Sequence, residues 1–213
     1  MGESAKQEAK AGSGIFIVFE GIDGAGKSTQ AVLLKKRLEE QGRRVTFVKE
    51  PTAGQWGQKI KEIARNGRQG VTLEEELDYF IFDREEDVEQ NIRPALARGD
   101  LVLADRYFYS NIVYQTALGL DPKEIRRRNS AFPVPDLVII LDISPELSAV
   151  RINSGRQEGA NLGYEQSGYL AKVKQAYNEL DDPNIVRLDG SASIEAVGNR
   201  IWETVLPLLK MIL

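Results

Sequence analysis

The chain has 213 residues, 42% hydrophobic and 28% charged, which suits one α/β domain with a small lid and is long enough to bury a sizeable core. A formal net charge of −4 argues against a nucleic-acid polymer as partner, because such binders carry a basic surplus. There is no cysteine and no histidine, so disulfides, thiolate chemistry and cysteine zinc sites are excluded, and proton transfer must use Asp, Glu, Lys, Tyr or water.

Residues 1–14, MGESAKQEAKAGSG, lack the apolar core of a signal peptide and are expected to be a disordered polar tail before a single domain over 15–213. No apolar run reaches about 18 residues, so no membrane span is expected, and the cysteine-free composition fits the cytoplasm. IFIVFE, Ile15 to Glu20, is a short apolar β-rich run and predicts a buried central strand. KSTQAVLLKKRLEEQG predicts a helix with Val32, Leu33 and Leu38 on its apolar face and a stop at Gly42. RRVTFVKE predicts a second strand, and Gly54 to Asn66 a helix.

TLEEELDYFIFDREEDVEQNIRPALARG predicts one long helix, opened by a Thr72–Glu75 capping box, kinked or divided by Pro94 and ended at Gly99. LVLAD, Leu101 to Asp105, is a third strand, followed by a helix over RYFYSNIVYQTAL. Asp121 to Ala131 is a short helix with Asp121 as cap and Pro122 first. PDLVIILDIS is a fourth strand, Ser144 caps PELSAVRI, and Ser154 to Gly163 is a polar glycine-rich loop. YLAKVKQAYNEL is a helix, NIVRLDG a fifth strand, and an amphipathic helix closes the chain. Helices alternating with apolar strands predict an α/β, three-layer fold: about five parallel strands with helices on both faces.

Gly21-x-x-x-x-Gly26-Lys27-Ser28 lies between a predicted strand and a predicted helix, the context that marks a P-loop. Glycines let the backbone turn its N–H groups onto phosphate oxygens, and the following helix adds its positive end. Lys27 then reaches the β- and γ-phosphates, and Ser28 can ligate Mg²⁺. Such loops serve GTPases, motor-type ATPases and small-molecule kinases; the Asn-Lys-x-Asp motif of a GTPase is absent. Asp105 ends the third strand, where ligands collect in these sheets, and can hold Mg²⁺; Arg106 beside it can hold an anion. Arg84 follows Phe80 by four residues, which puts ring and guanidinium on one helical face. On periodicity alone Phe80 falls in the core and Arg84 in solvent. Arg151 and Arg156 flank the glycine-rich loop and could neutralise charge on a transferring phosphoryl group. Arg126 to Arg128 reads as an exposed helix face without chemistry.

Taken together, EGIDGAGKSTQ, KEP, the Phe80-x-x-x-Arg84 pair, DRYxxSxxxYQ from Asp105 to Gln115, and PDLVIILDISPELSAVRI resemble the thymidylate kinase family, which transfers phosphate from ATP to dTMP. The resemblance runs from about Ile15 to the C-terminus. It implies an ATP-binding stretch of Gly21, Ile22, Asp23, Gly24, Ala25, Gly26, Lys27, Ser28 and Thr29, with Mg²⁺ at Ser28 and Asp105. It implies that Phe80 stacks on thymine, that Arg84 reaches the base edge, and that Arg106 clamps the dTMP phosphate. Ser110 and Asn111 match polar positions lining the base pocket, Gln115 falls near the base, and Tyr114 lies under the deoxyribose. Asp23 faces the sugar and acceptor phosphate, Glu50 and Pro51 belong to the acceptor loop, and Tyr164 with Glu165 matches a lid-end pair.

Gly24 and Ala25 stand where some members of the family carry a P-loop arginine, so the catalytic arginine is expected from a lid over about 154–165, Arg156 first and Arg151 second. Thr52 to Gly57 matches neither acceptor-loop version associated with the family. The resemblance also implies a homodimer, for which the apolar runs IVYQTALGL and DYFIF could supply a face, although core burial explains them equally. A kinase of another nucleotide (dUMP, UMP or AMP) and a P-loop switch without a small-molecule acceptor are the competing readings.

Overall fold

The computed structural model describes residues 14–155 and 167–210. Five parallel strands form one sheet in the order β2-β3-β1-β4-β5. They are β1 Ile15–Glu20, β2 Val45–Lys49, β3 Leu101–Asp105, β4 Leu137–Asp142 and β5 Ile185–Asp189. β1 and β3 are buried along their whole length, while the edge strands β2 and β5 are only partly covered. That is why β1, β3 and β4 read as unbroken apolar runs: both of their faces are buried.

The helices among the described residues are α1 Lys27–Glu40, α2 Gln55–Asn66, α3 Leu73–Asp87, α4 Arg93–Ala97, α5 Phe108–Ala117, α6 Pro122–Asn129, α7 Pro145–Gly155, α8 Ser167–Asn178 and α9 Ile194–Lys210. Local chemistry sets several of their ends. Thr72 and Glu75 form the expected capping box. Asp121 accepts from the Lys123 N–H, with Pro122 at the first position of α6. Ser144 Oγ accepts from the Leu147 N–H.

Four expectations are corrected. The buried face of α1 is Lys27, Gln30, Ala31, Leu34 and Leu38; Val32 and Leu33 are exposed. Its first turn points polar groups inward because it starts from the phosphate loop, so the apolar pattern alone is right for Leu38 and wrong for Val32 and Leu33. The long helix is not simply kinked at Pro94: Val88–Ile92 forms a π turn between α3 and α4, and the Arg93 N–H donates to the Val88 carbonyl, five residues back. Pro94 has no N–H for the carbonyl four residues before it, so the turn ahead of it widens. Val88 and Ile92 stay buried while Glu89, Gln90 and Asn91 are exposed. Finally, α6 ends at Asn129 rather than Ala131, and α7 continues through Ser154 and Gly155. The rest of the expected lid loop, with Arg156, Tyr164 and Glu165, lies outside the described residues.

The parallel register sets Phe19 and Lys49 on either side of Asp105. From the central β1 the chain moves outward to β2 and β3 on one side and later to β4 and β5 on the other. The carboxyl ends of the strands therefore flank a switch point, the place where open α/β sheets bind ligands.

Candidate active site

A cleft of about 630 Å³ opens over these strand ends, lined by Asp23 to Gln30 and by Lys49, Glu50, Pro51, Lys61, Asp105 and Arg106. The loop from Gly21 to Gly26 gives Asp23, Gly24, Ala25 and Gly26 to its lining. Gly26 is the residue before α1 and has φ 96°, a left-handed conformation that L side chains rarely adopt. At Gly21 a Cβ would come within 2.5 Å of the Leu141 carbonyl, so only glycine lets the loop pass that close to β4. The loop and the start of α1 line the cleft, where a helix N-terminus suits an anion.

Lys27 is buried at the base of the loop and donates to the Ile22 carbonyl at 2.8 Å. Burial, together with the Arg106 charge, brings its ammonium down to about 8 in spite of the nearby carboxylates. Ser28 Oγ donates to the Asp105 carboxylate, and Lys49 Nζ donates to Ser28 Oγ at 2.9 Å and lies 3.0 Å from Asp105 Oδ2. Burial alone would raise Asp105; Lys27, Ser28 and Lys49 outweigh it and hold the carboxyl below its ordinary range. Ser28 and an ionised Asp105 are hard oxygen donors in direct contact. They suit Mg²⁺, which takes few protein ligands and completes its shell with phosphate oxygens and water.

Arg106 is held from three sides. Its Nη2 donates to Asp23 at 2.5 Å and to the Tyr114 hydroxyl at 3.3 Å, its Nη1 to Ser110 Oγ at 3.0 Å, and its guanidinium lies 5.1 Å from the Tyr114 ring centre. Its backbone is left-handed, φ 74°, which is costly for a residue with a side chain. The buried Glu20 holds that turn: its carboxylate accepts from the N–H groups of Tyr107 and Ser110, from the Ser110 hydroxyl and from the Tyr177 hydroxyl. Ser110 thus belongs with Arg106 and Glu20, whereas Asn111 belongs to the next cluster. Asp23, an acid in a loop for anions, is paired with a cation.

Arg84 contradicts the expectation from periodicity. It is completely buried and makes four hydrogen bonds: it donates twice to Glu50, and its Nη1 donates to Asn111 and Asn129 at 2.6 Å each. Asn111 in turn donates to Gln115. Burial pushes Glu50 up to about 8, against the pull of Arg84, with Asp87 and Asp83 adding to the rise. Phe80 is half-buried and stands outside the core cluster, whereas its neighbour Leu77 belongs to it and Ile81 packs against it. The Glu50–Pro51 peptide is cis, and Thr52 beyond it is fastened to Asp83 through its N–H and its hydroxyl.

Arg151 reaches over the outer end of the loop and donates to the carbonyls of Gly190, at 2.9 Å, and of Gly24 and Ser191. The arginines of α6 are paired rather than free on the surface: Arg126 with Asp182, Arg127 with Glu124, Arg128 with Asp78. Sequence reasoning missed Lys49, Lys61, Glu20, Asn129 and Tyr177. Glu20 and Lys49 stand inside the quoted stretches EGIDGAGKSTQ and KEP, but no chemistry was assigned to them. Asn129 and Tyr177 gave no signal, because each meets its partner across more than forty residues of chain.

The family model described as thymidylate kinase matches residues 19–201. A thymidylate kinase of Desulfotalea psychrophila is 44% identical over 198 residues, covering 93% of this chain and 97% of that protein. A probable thymidylate kinase of Archaeoglobus fulgidus is 40% identical over 192 residues, 90% of this chain and 94% of that one. A thymidylate kinase of Akkermansia muciniphila is 42% identical over 189 residues, 88% and 89% of the two chains.

Proposed function

The chain belongs to the thymidylate kinase family, and on that premise we propose that its cleft passes the γ-phosphoryl group of ATP to dTMP, giving dTDP and ADP. The observation that carries this is that one cleft holds two anion grips: the loop with Lys27, and Arg106, which is paired with the loop's own Asp23. Phosphoryl transfer asks for alignment and neutralisation more than for covalent help. An oxygen of the dTMP phosphate bonds to the γ-phosphorus while the bond to the β–γ bridging oxygen breaks, and ADP leaves with that electron pair. The attacking phosphate is already an anion near neutral pH, so no strong general base is needed and the lack of histidine costs nothing.

Lys27 and the loop N–H groups hold the donor phosphates; Arg106 holds the acceptor phosphate, oriented by Asp23, Ser110 and Tyr114. Ser28 and Asp105 would hold Mg²⁺, which supplies charge to the donor phosphates when bound. Phe80 stacks on the base and the Glu50–Arg84–Asn111–Gln115 group lies along its edge, with Tyr114 under the sugar. Arg156 brings the last positive charge from the lid, and Tyr164 is a further contact of the lid end. Arg151, fastened to loop carbonyls, supports the donor side. The protein works as a homodimer in the cytoplasm: Trp56, Tyr79 and Phe82 form a partly exposed aromatic face on α2 and α3, and a cysteine-free chain suits a reducing compartment.

The deciding experiment is an acceptor panel with ATP, read by ADP release. dTMP should exceed dUMP, UMP, AMP and GMP; equal rates with AMP, or ADP release independent of acceptor, would sink the reading. Arg156→Ala should lower kcat with little change in the KM for ATP, and light scattering at micromolar concentration should give the mass of two chains.

A further inference from the structure

We infer that Lys49 is a displaceable cation of the reaction centre: its ammonium holds the oxygens of Ser28 and Asp105 in the nucleotide-free protein and passes to the phosphates when metal and nucleotide arrive. The inference rests on the reading of Ser28 and Asp105 as the metal seat.

Lys49 is the last residue of β2 and lies opposite Asp105 in the parallel ladder, so its stem rises beside the strand-end acid. Its Nζ meets Ser28 Oγ at 2.9 Å and Asp105 Oδ2 at 3.0 Å, and Asp105 Oδ2 is the same oxygen that the Ser28 hydroxyl contacts. One ammonium thus touches both hard oxygen donors of the loop-and-strand seat. A divalent cation on the same two oxygens would stand within a few ångströms of Nζ, and like charges that close repel one another. The two cations exclude one another.

The partners differ in freedom. The Asp105 side chain is 2% exposed and fixed by its strand, whereas that of Lys49 is 56% exposed on a flexible four-carbon stem. Lys49 is therefore the member that moves, and it can do so without repacking the core. An ordinary surface ion pair has two exposed partners and contributes little; here the carboxylate is buried and shared with the phosphate loop. A displaced Lys49 still overhangs the cleft that it lines with Lys27, Asp23 and Arg106. In that cleft negative charge spreads over the transferring oxygens during the reaction. The loop itself brings no second cation there, because Gly24 and Ala25 carry no charge.

Mn²⁺ alone, titrated into the full chain without nucleotide and read as free Mn²⁺ by electron paramagnetic resonance, tests the first half. Lys49→Met should bind Mn²⁺ about tenfold more tightly than the wild type, because the competing charge is gone. With ATP, Mg²⁺ and dTMP the same variant should lose about a hundredfold in kcat while the KM for ATP stays within about threefold. Asp105→Asn separates the premise from the inference. If Asp105→Asn binds Mn²⁺ as the wild type does, the metal seat is elsewhere and the proposal falls with it. If Asp105→Asn loses Mn²⁺ but Lys49→Met gains none, the seat stands and Lys49 does not compete for it. Tighter Mn²⁺ with an unchanged kcat would overturn the passage to the phosphates.

Discussion

The two halves of the cleft are built in opposite ways. On the acceptor side, side chains make the surface and are already satisfied. Arg84 has donated to Glu50, Asn111 and Asn129, and Arg106 to Asp23, Ser110 and Tyr114. On the donor side the backbone makes the surface, and the cations rest on stand-ins: Lys27 on the Ile22 carbonyl, Lys49 on Ser28 and Asp105, Arg151 on three carbonyls. A pocket that must tell one base from another gains from groups fixed before binding. A grip on phosphate can be generic, and its cations can exchange one oxygen for another at small cost. Damage to the first half should therefore appear in folding and acceptor affinity, and damage to the second in turnover.

The largest test is Arg84→Leu. It removes four buried hydrogen bonds and leaves Glu50, Asn111 and Asn129 without their donor, a loss of about 3–5 kcal/mol, so thermal unfolding should fall by roughly 10 °C. A variant as stable as the wild type would mean that the cluster is not part of the folded core's support. Next comes Lys27→Met, with kcat lowered about 10²–10³-fold and a melting temperature that holds or rises, since a buried charge has been removed. A drop in stability as large as that of Arg84→Leu would erase the contrast. Phe80→Ala should then raise the KM for dTMP by about 1–3 kcal/mol of lost stacking, with kcat and stability nearly unchanged. An unchanged KM would mean that the ring does not stack on the base.

The smallest effect is a fraction of a proton. Lys27 titrates near 8 in the free protein, and the donor phosphates favour its charged form and raise that value. ATP binding at pH 8 should therefore take up protons, and affinity should weaken as pH rises past 8. Calorimetry in buffers of different ionisation heat measures the uptake, and Lys27→Met should abolish it.

The strand frame was legible because β1, β3 and β4 are buried on both faces, and burial on both faces writes itself as an unbroken apolar run. The caps at Thr72, Asp121 and Ser144 were legible because each is a contact within a few residues. Arg84 was not. A helical period says which residues share a face, but the carboxylate that makes burial tolerable is Glu50, thirty-four residues earlier on another element. The α1 face failed for a related reason: Lys27 and Gln30 point inward from a loop whose shape is set by phosphate binding rather than by apolar packing. Local motifs announced Asp105 and Arg106, yet nothing local told that Lys49 would meet them, since parallel pairing joins strands that are far apart in the chain.

The π turn at Val88–Ile92 has a consequence for ancestry. A turn closed over five residues instead of four holds one residue more than an α-helix needs, and such turns are how a helix absorbs a single-residue insertion. The surplus emerges on the solvent side at Glu89, Gln90 and Asn91, so the buried positions before and after it keep their facing. Chain length can change by one there while Arg84 still faces Glu50 and Ala95 still lies in the core. A chain lacking Gln90 should fold with its acceptor affinity intact, whereas the same deletion one turn earlier, inside α3, would rotate Phe80 and Arg84 out of register with everything that follows.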